Sequence, residues 1–337
     1  MVTKIDKSNM RQVILDFPKQ FKAGLKAAKR VKLATLPIHL ENIIICGMGG
    51  SGLPGDILAT LRPFDVSSYK SYNLPLQAGI DSLIICVSYS GNTEETISAL
   101  QAAIDKRLSV ITISTGGKLE ELSHQHNIPH VKLPAPYIPP RLALGEMLAA
   151  LLQILINHNL LDKKLVKETA QLTKSLKVKD SEEQGKALAK RIYKKIPFIY
   201  VSRRFMEVAW IWKNSLNETA KILAFANYFP ELNHNETVGF SRINEAQISN
   251  KDVCVVILRD LEESFTRVLK QMKITKELIE REGVEVEFVD IKGKNMLEKI
   301  FSTVILGFWT AYWLALEYQV DPTEIKIIEE FKKKLKE

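Results

Sequence analysis

Three cysteines and six histidines in 337 residues leave little with which to build a disulfide framework or a metal centre. Cys46, Cys86 and Cys254 each fall inside an apolar run, and none has a second cysteine at metal-ligand spacing. They are expected as small core residues of a chain kept in a reducing compartment. His124, His126 and His130 lie close together, but no acid or thiol is read at a matching spacing, so no metal is expected there. No apolar run reaches the roughly 20 residues of a membrane span. Residues 303–316 come closest and read as a buried helix. The N-terminus lacks the apolar stretch of a signal peptide. A cytoplasmic protein with no membrane partner is therefore expected. Zinc-finger, RNA-binding sheet and basic-heptad patterns are all missing, so nothing argues for nucleic acid. The net charge of +8 is carried by lysines on helical stretches, including Lys163, Lys164, Lys332, Lys333 and Lys334. These read as solvated faces that would also draw in a small anion.

Glycine, scarce overall, is concentrated where it matters. Residues 43–46 form a short apolar run ended by Gly47-Met48-Gly49-Gly50-Ser51-Gly52, with helix-compatible residues after it. A strand, a glycine-rich turn and a helix N-terminus together make an anion site, because glycine lets backbone N–H groups approach a ligand and the helix dipole favours negative charge. The plan recurs about forty residues on, where 83–87 lead into Ser88-Tyr89-Ser90-Gly91-Asn92-Thr93 and a helix from Glu94. There hydroxyls supply the donors. Two such turns on neighbouring parallel strands would meet at the carboxyl ends of a sheet and cradle a phosphate.

Strands predicted at 43–46, 66–72, 83–87, 109–114 and 129–133 alternate with helices at 53–61, 94–106 and 118–124, as in a parallel sheet covered on both faces. An amphipathic pattern over 7–32, broken by Pro18, reads as leading helices packed on this first domain. Prolines crowd 134–141 and stiffen a connector. It ends at Arg141, a cation placed badly for the helix start that follows unless an anion lies nearby. Residues 162–195 are polar and helix-forming. A second α/β unit follows, with strands near 197–202, 222–225, 253–258 and 284–289 and helices at 205–221, 264–281 and 295–318. Asp321-Pro322 reads as the start of the last helix. The expected domains are 1–160, holding the phosphate turns, and 161–337, supplying other chemistry.

Taken together, the glycine and serine turns, Pro140-Arg141, Asn217-Glu218, Glu231-Leu232-Asn233-His234-Asn235-Glu236 and Asp321-Pro322-Thr323 resemble the sugar-isomerase (SIS) fold and, more narrowly, the bifunctional phosphoglucose/phosphomannose isomerases. The Glu-Leu-Asn-His-Asn-Glu stretch and the fifteen residues between Glu218 and His234 are the narrow signals. The resemblance implies two flavodoxin-like, three-layer α/β/α SIS domains. It also implies interconversion of glucose 6-phosphate and mannose 6-phosphate with fructose 6-phosphate. Gly50, Ser51, Ser88, Ser90 and Thr93 would hold the phosphate. Glu218 would be the general base, Arg141 the group beside the enediolate, and His234 with Lys332 the ring-opening pair, Lys332 being chosen by its distance from Asp321-Pro322. A homodimer in which His234 reaches its site from the partner subunit is also implied.

The chemistry is consistent with those residue types. One carboxylate can carry a proton between C1 and C2 of a cis-enediol, and partial burial among Trp210, Trp212, Leu216 and Ile222 would raise its pKa toward the useful range. Arginine is a fixed cation for a developing oxyanion, and histidine shuttles protons near neutral pH. No metal or redox cofactor enters such a mechanism. Rival readings are a nicotinamide enzyme, a non-catalytic SIS sugar-phosphate sensor, and an amino-sugar phosphate isomerase or deaminase. The first fits Gly47-x-Gly49-x-x-Gly52 but lacks an acidic residue at the end of the second strand. The sensor has no helix-turn-helix to serve it.

Overall fold

In a computed structural model, residues 2–33, 36–61, 65–134, 138–241, 249–263 and 265–335 are described. They fall into two compact units, one made of residues 16–176 and the other of residues 1–15 together with 177–337.

In the unit of residues 16–176, five parallel strands lie in the order β2-β1-β3-β4-β5. They are β1 (Asn42–Cys46), β2 (Val66–Tyr69), β3 (Ser82–Val87), β4 (Ser109–Ser114) and β5 (His130–Lys132). Isoleucine, valine and leucine fill β1, β3 and β4, and these strands are buried almost throughout, as a sheet covered on both faces requires. The order reverses between β1 and β3, and Cys46 sits opposite Cys86 in their register. That is the switch point at which doubly wound sheets open a crevice for ligand. The helix Leu144–Asn157 is buried along nearly its whole length and packs with Phe17–Ala28.

The other unit has four parallel strands in the order β7-β6-β8-β9, from β6 (Ile196–Ser202), β7 (Phe225–Phe229), β8 (Val253–Arg259) and β9 (Glu285–Asp290). It repeats the first four positions of the other sheet. Its core helix, Met296–Glu317, matches the expected span to within one residue at each end. By length and composition it could cross a membrane, but it is mostly buried within the fold, which explains its apolar character.

Four sequence expectations change. The first fifteen residues belong with 177–337, not with the first domain, and the division after them falls at 176/177 instead of 160/161. The cause is a set of long-range contacts. Asp6 accepts hydrogen bonds from Met10 N at 2.7 Å, Arg11 N at 3.0 Å and the Tyr312 hydroxyl at 3.1 Å, while Arg11 pairs with Glu182 at 2.7 Å. The amphipathic stretch breaks at Asp16, and Pro18 falls in the first turn of Phe17–Ala28, where its missing N–H costs nothing. Strand β7 begins at Phe225 instead of ending there. The last helix is Lys326–Lys334, because Asp321 instead closes a short turn by accepting from Thr323 N at 2.8 Å. Ala135–Tyr137 of the proline-rich connector and the expected helix start at Ser264 lie outside the described residues.

Candidate active site

The two turns at the ends of β1 and β3 interlock. Gly49–Ser51 form one turn of 3-10 helix, and Ser51 Oγ accepts a hydrogen bond from Tyr89 N at 3.0 Å. Ser88 is fully buried; its Oγ accepts from Gly91 N at 3.1 Å and lies 2.9 Å from Thr93 Oγ1. Ser90 Oγ accepts from Asn92 N at 3.3 Å. Hydroxyls that accept from backbone keep a proton to donate outward. Thr93 stands at the N-cap of Glu94–Asp105 with its side chain given to Ser88 instead of the helix. The first-turn N–H groups of that helix therefore receive no cap from Thr93.

Two glycines make this geometry possible. Gly91 has φ of +70°, and a Cβ there would meet Gly116 O at 1.7 Å. At Gly50 a Cβ would sit 2.9 Å from both Arg141 Cα and Pro140 O. Gly50 thus lets the 3-10 turn Pro140–Leu142 come against the glycine turn, and it brings Arg141, itself buried, to the cradle. Gly50, Ser51, Ser88, Ser90, Thr93 and Arg141 therefore share one end of one sheet.

Glu218 lies in the other unit. The helix Met206–Ser215 widens into a π-helical turn, Leu216–Ala220, that carries Glu218 and ends at Lys221 in the left-handed conformation. Such turns are rare and concentrate at functional sites. Asn217 Nδ2 donates to Ile222 O at 2.8 Å, and Lys221 Nζ donates to Asp321 O at 2.6 Å. The first of these bonds takes up Ile222, where β7 was expected to begin, and the strand starts later. The bonds also bring the segment from Val320 onward alongside the turn, enclosing a cavity of about 620 Å³. Glu218, half-buried, lines it together with Asn217, Asp321, Glu324, Ile325 and Lys326.

Lys332 is exposed on Lys326–Lys334 and lies outside the cavity lining, whereas Lys326 forms part of that lining. Lys326 pairs with Glu324 at 3.0 Å, which raises the lysine pKa and lowers that of the glutamate. His234 closes the 3-10 turn Glu231–His234 and is exposed. Its polar neighbours do not hold its ring. Asn233 donates to Thr275 Oγ1 at 2.6 Å, Asn235 to Glu231 at 2.9 Å, and Glu236 accepts from the Tyr200 hydroxyl at 2.6 Å. They fix the loop instead.

The histidine cluster also differs from expectation, because Glu120 lies 3.8 Å from His124 and 4.0 Å from His130. His130 is engaged by Thr112 Oγ1 at 2.8 Å, and burial pushes its pKa down to about 4. Among the described residues no three His, Cys, Asp or Glu side chains are arranged to hold a metal ion. Sequence reasoning missed Glu146, which is buried on Leu144–Asn157 just beyond Arg141. Its signal was an acid in the first turn of an otherwise apolar helix.

Comparison with known proteins agrees with this architecture. Residues 181–335 match the model of the bacterial phospho-glucose isomerase C-terminal SIS domain. The C-terminal domain of glucosamine-fructose-6-phosphate aminotransferase from Francisella tularensis shares the fold, with a TM-score of 0.71 at 16% identity, over 94% of this chain and 98% of that one. D-glucosamine-6-phosphate 4-epimerase of Sulfolobus acidocaldarius is 28% identical over 86% of this chain and 87% of its own. The bifunctional phosphoglucose/phosphomannose isomerase of Caldicellulosiruptor bescii is 32% identical over 97% of this chain and 99% of its own. The chain accordingly belongs to the bifunctional phosphoglucose/phosphomannose isomerase family and is an enzyme of the isomerase class.

Proposed function

We propose that this enzyme interconverts glucose 6-phosphate, and mannose 6-phosphate, with fructose 6-phosphate through a cis-enediol. The reading is carried by one observation: two interlocked anion turns at the β1/β3 switch point, with the turn of Arg141 packed directly on Gly50. The phosphate ester sits on Gly50, Ser51, Ser88, Ser90 and Thr93. Glu218 takes the proton from one carbon and returns it to its neighbour, and Arg141 balances the charge of the enediolate. One base can serve both C2 epimers when the enediol rotates about C2–C3.

Opening of the cyclic sugar needs a proton moved from the C1 hydroxyl to the ring oxygen, a task for His234 and a lysine of the C-terminal helix. Lys332 holds that role by spacing, and Lys326 competes for it by position on the cavity. His234 acts from the partner subunit of a homodimer. Its exposure, and that of Trp210, Leu223, Phe225 and Val238 in the same unit, support such an assembly. Three buried free cysteines support a cytoplasmic setting.

Replacing Glu218 by Gln tests the base. Isomerisation is abolished while inorganic phosphate still binds, since the base is lost and the cradle is not. A variant that kept a tenth of the activity would overturn the assignment. The epimerase relative favours a second reading, an amino-sugar phosphate as substrate. Conversion of glucosamine 6-phosphate, with failure on glucose 6-phosphate, would establish it.

A further inference from the structure

Behind the phosphate turns lies a carboxyl group that the isomerisation does not use. Glu146 is 1% exposed, and its Oε1 has no full hydrogen-bond partner among the described residues. An ionised carboxylate in such a place is costly, and an apolar side chain would pack there without that cost. The hydroxyl of Tyr89 bears directly on it. That hydroxyl is also buried with no hydrogen-bond partner among the described residues, so the two groups influence each other electrostatically without a formed hydrogen bond. Tyr89 is itself part of the cradle, because its N–H is the group that ties the serine turn to Ser51 Oγ. Glu146 thus sits one side chain away from the link between the two phosphate turns.

We propose that Glu146 is a positioning residue for the phosphate cradle: in its neutral form it holds Tyr89 where the serine turn can receive a phosphate ester, and on ionising it weakens that binding. The inference rests on the phosphate reading of the two turns. Two effects act together. A buried negative charge behind the turns opposes the phosphate in front of them, with little solvent to screen it. The carboxylate also draws the Tyr89 hydroxyl toward itself and strains the Tyr89–Ser51 link. Burial pushes the Glu146 pKa up to about 7, so the change falls inside the working range of an enzyme.

Tyr89 is the titratable group that bears on Glu146. The entering turn carries Arg141, and Phe17–Ala28 presents neutral Gln20, whose side chain bonds Leu142 O at 2.7 Å and Gly145 N at 3.0 Å. The lysines of that helix (Lys19, Lys22 and Lys26) are exposed. Leu53–Leu61 carries Asp56, tied to Lys70, and Lys163–Ser175 carries Glu168, paired with Lys164. Strand β4 brings Thr112 and Ser114.

The test is calorimetric titration with inorganic phosphate between pH 6 and pH 8, which requires no turnover, on the full chain and on Glu146→Gln. One unit above a pKa near 7 the ionised form predominates about tenfold, so affinity of the native chain relative to the variant falls about tenfold by pH 8. Titration of phosphate itself is common to both proteins and cancels in the ratio. Tyr89→Phe, which removes the hydroxyl that favours ionisation, moves the transition to higher pH. A ratio of native to variant affinity that stays constant across this range, with phosphate bound, would overturn the role of Glu146 and leave the cradle standing. Absence of phosphate binding at every pH would overturn the cradle and this proposal with it.

Discussion

Substituting Gly50 by Ala tests the link between the glycine turn and Arg141 with a single methyl group. The added Cβ would lie 2.9 Å from Arg141 Cα and from Pro140 O, whereas ordinary contact begins at 3.4 Å. Both neighbours are backbone atoms, so neither can rotate away. To restore ordinary contact the Pro140–Leu142 turn retreats by about 0.5 Å, the difference of those two distances, and Arg141 moves with it. Overpacking of this kind costs about 1–3 kcal/mol of stability. The catalytic effect is larger, since a misplacement of about 1 Å can cost roughly a hundredfold in rate. On the proposed role of Arg141 beside the enediolate, a half-ångström shift is therefore expected to lower kcat about tenfold. Steady-state kinetics in both directions, beside a thermal melt, would read the two effects separately. Retention of kcat within twofold in a folded variant would refute the idea that Arg141 is placed by its contact with Gly50.

Two further outcomes follow from the geometry. Burial lowers the His130 pKa from 6.5 to about 4, so the folded state binds the imidazole neutral while the unfolded chain protonates it below pH 6.5. Stability is lost as pH falls from 6.5 toward 4, by about 3 kcal/mol at the lower end, and urea midpoints of native and His130→Gln proteins should converge across that window. Parallel slopes would show that His130 does not carry the effect. In the second test, Lys326→Ala and Lys332→Ala are compared on cyclic glucose 6-phosphate. The lysine that opens the ring loses at least tenfold in kcat, the other stays within twofold, and equal small losses would remove both from the role.

The two turns at the switch point were legible in the sequence because their signals are local. Four glycines after an isoleucine run and five hydroxyl-bearing or glycine residues after a second run can serve a turn between strand and helix and little else. Positions fixed by distant partners were not legible. Asp6 and Arg11 are held by Tyr312 and Glu182, roughly 300 and 170 residues along the chain, and no periodicity reports that. Asp321-Pro322 has the composition of a helix start, yet Lys221 pulls the Asp321 carbonyl aside and the helix begins at Lys326. The π-turn that presents Glu218 has no sequence signature, and neither does the bond from Asn217 Nδ2 that takes up Ile222 O, where β7 was expected to begin. Glu146 was hidden for another reason. An acid in the first turn of a helix ordinarily reads as a surface residue favoured by the dipole, and only the packed structure shows it buried.

The most direct measurement is formation of fructose 6-phosphate from glucose 6-phosphate and, separately, from mannose 6-phosphate, with excess EDTA throughout. Turnover of both sugars is the predicted result. Failure on both, from a folded protein that still binds phosphate, would contradict the isomerase reading of this site.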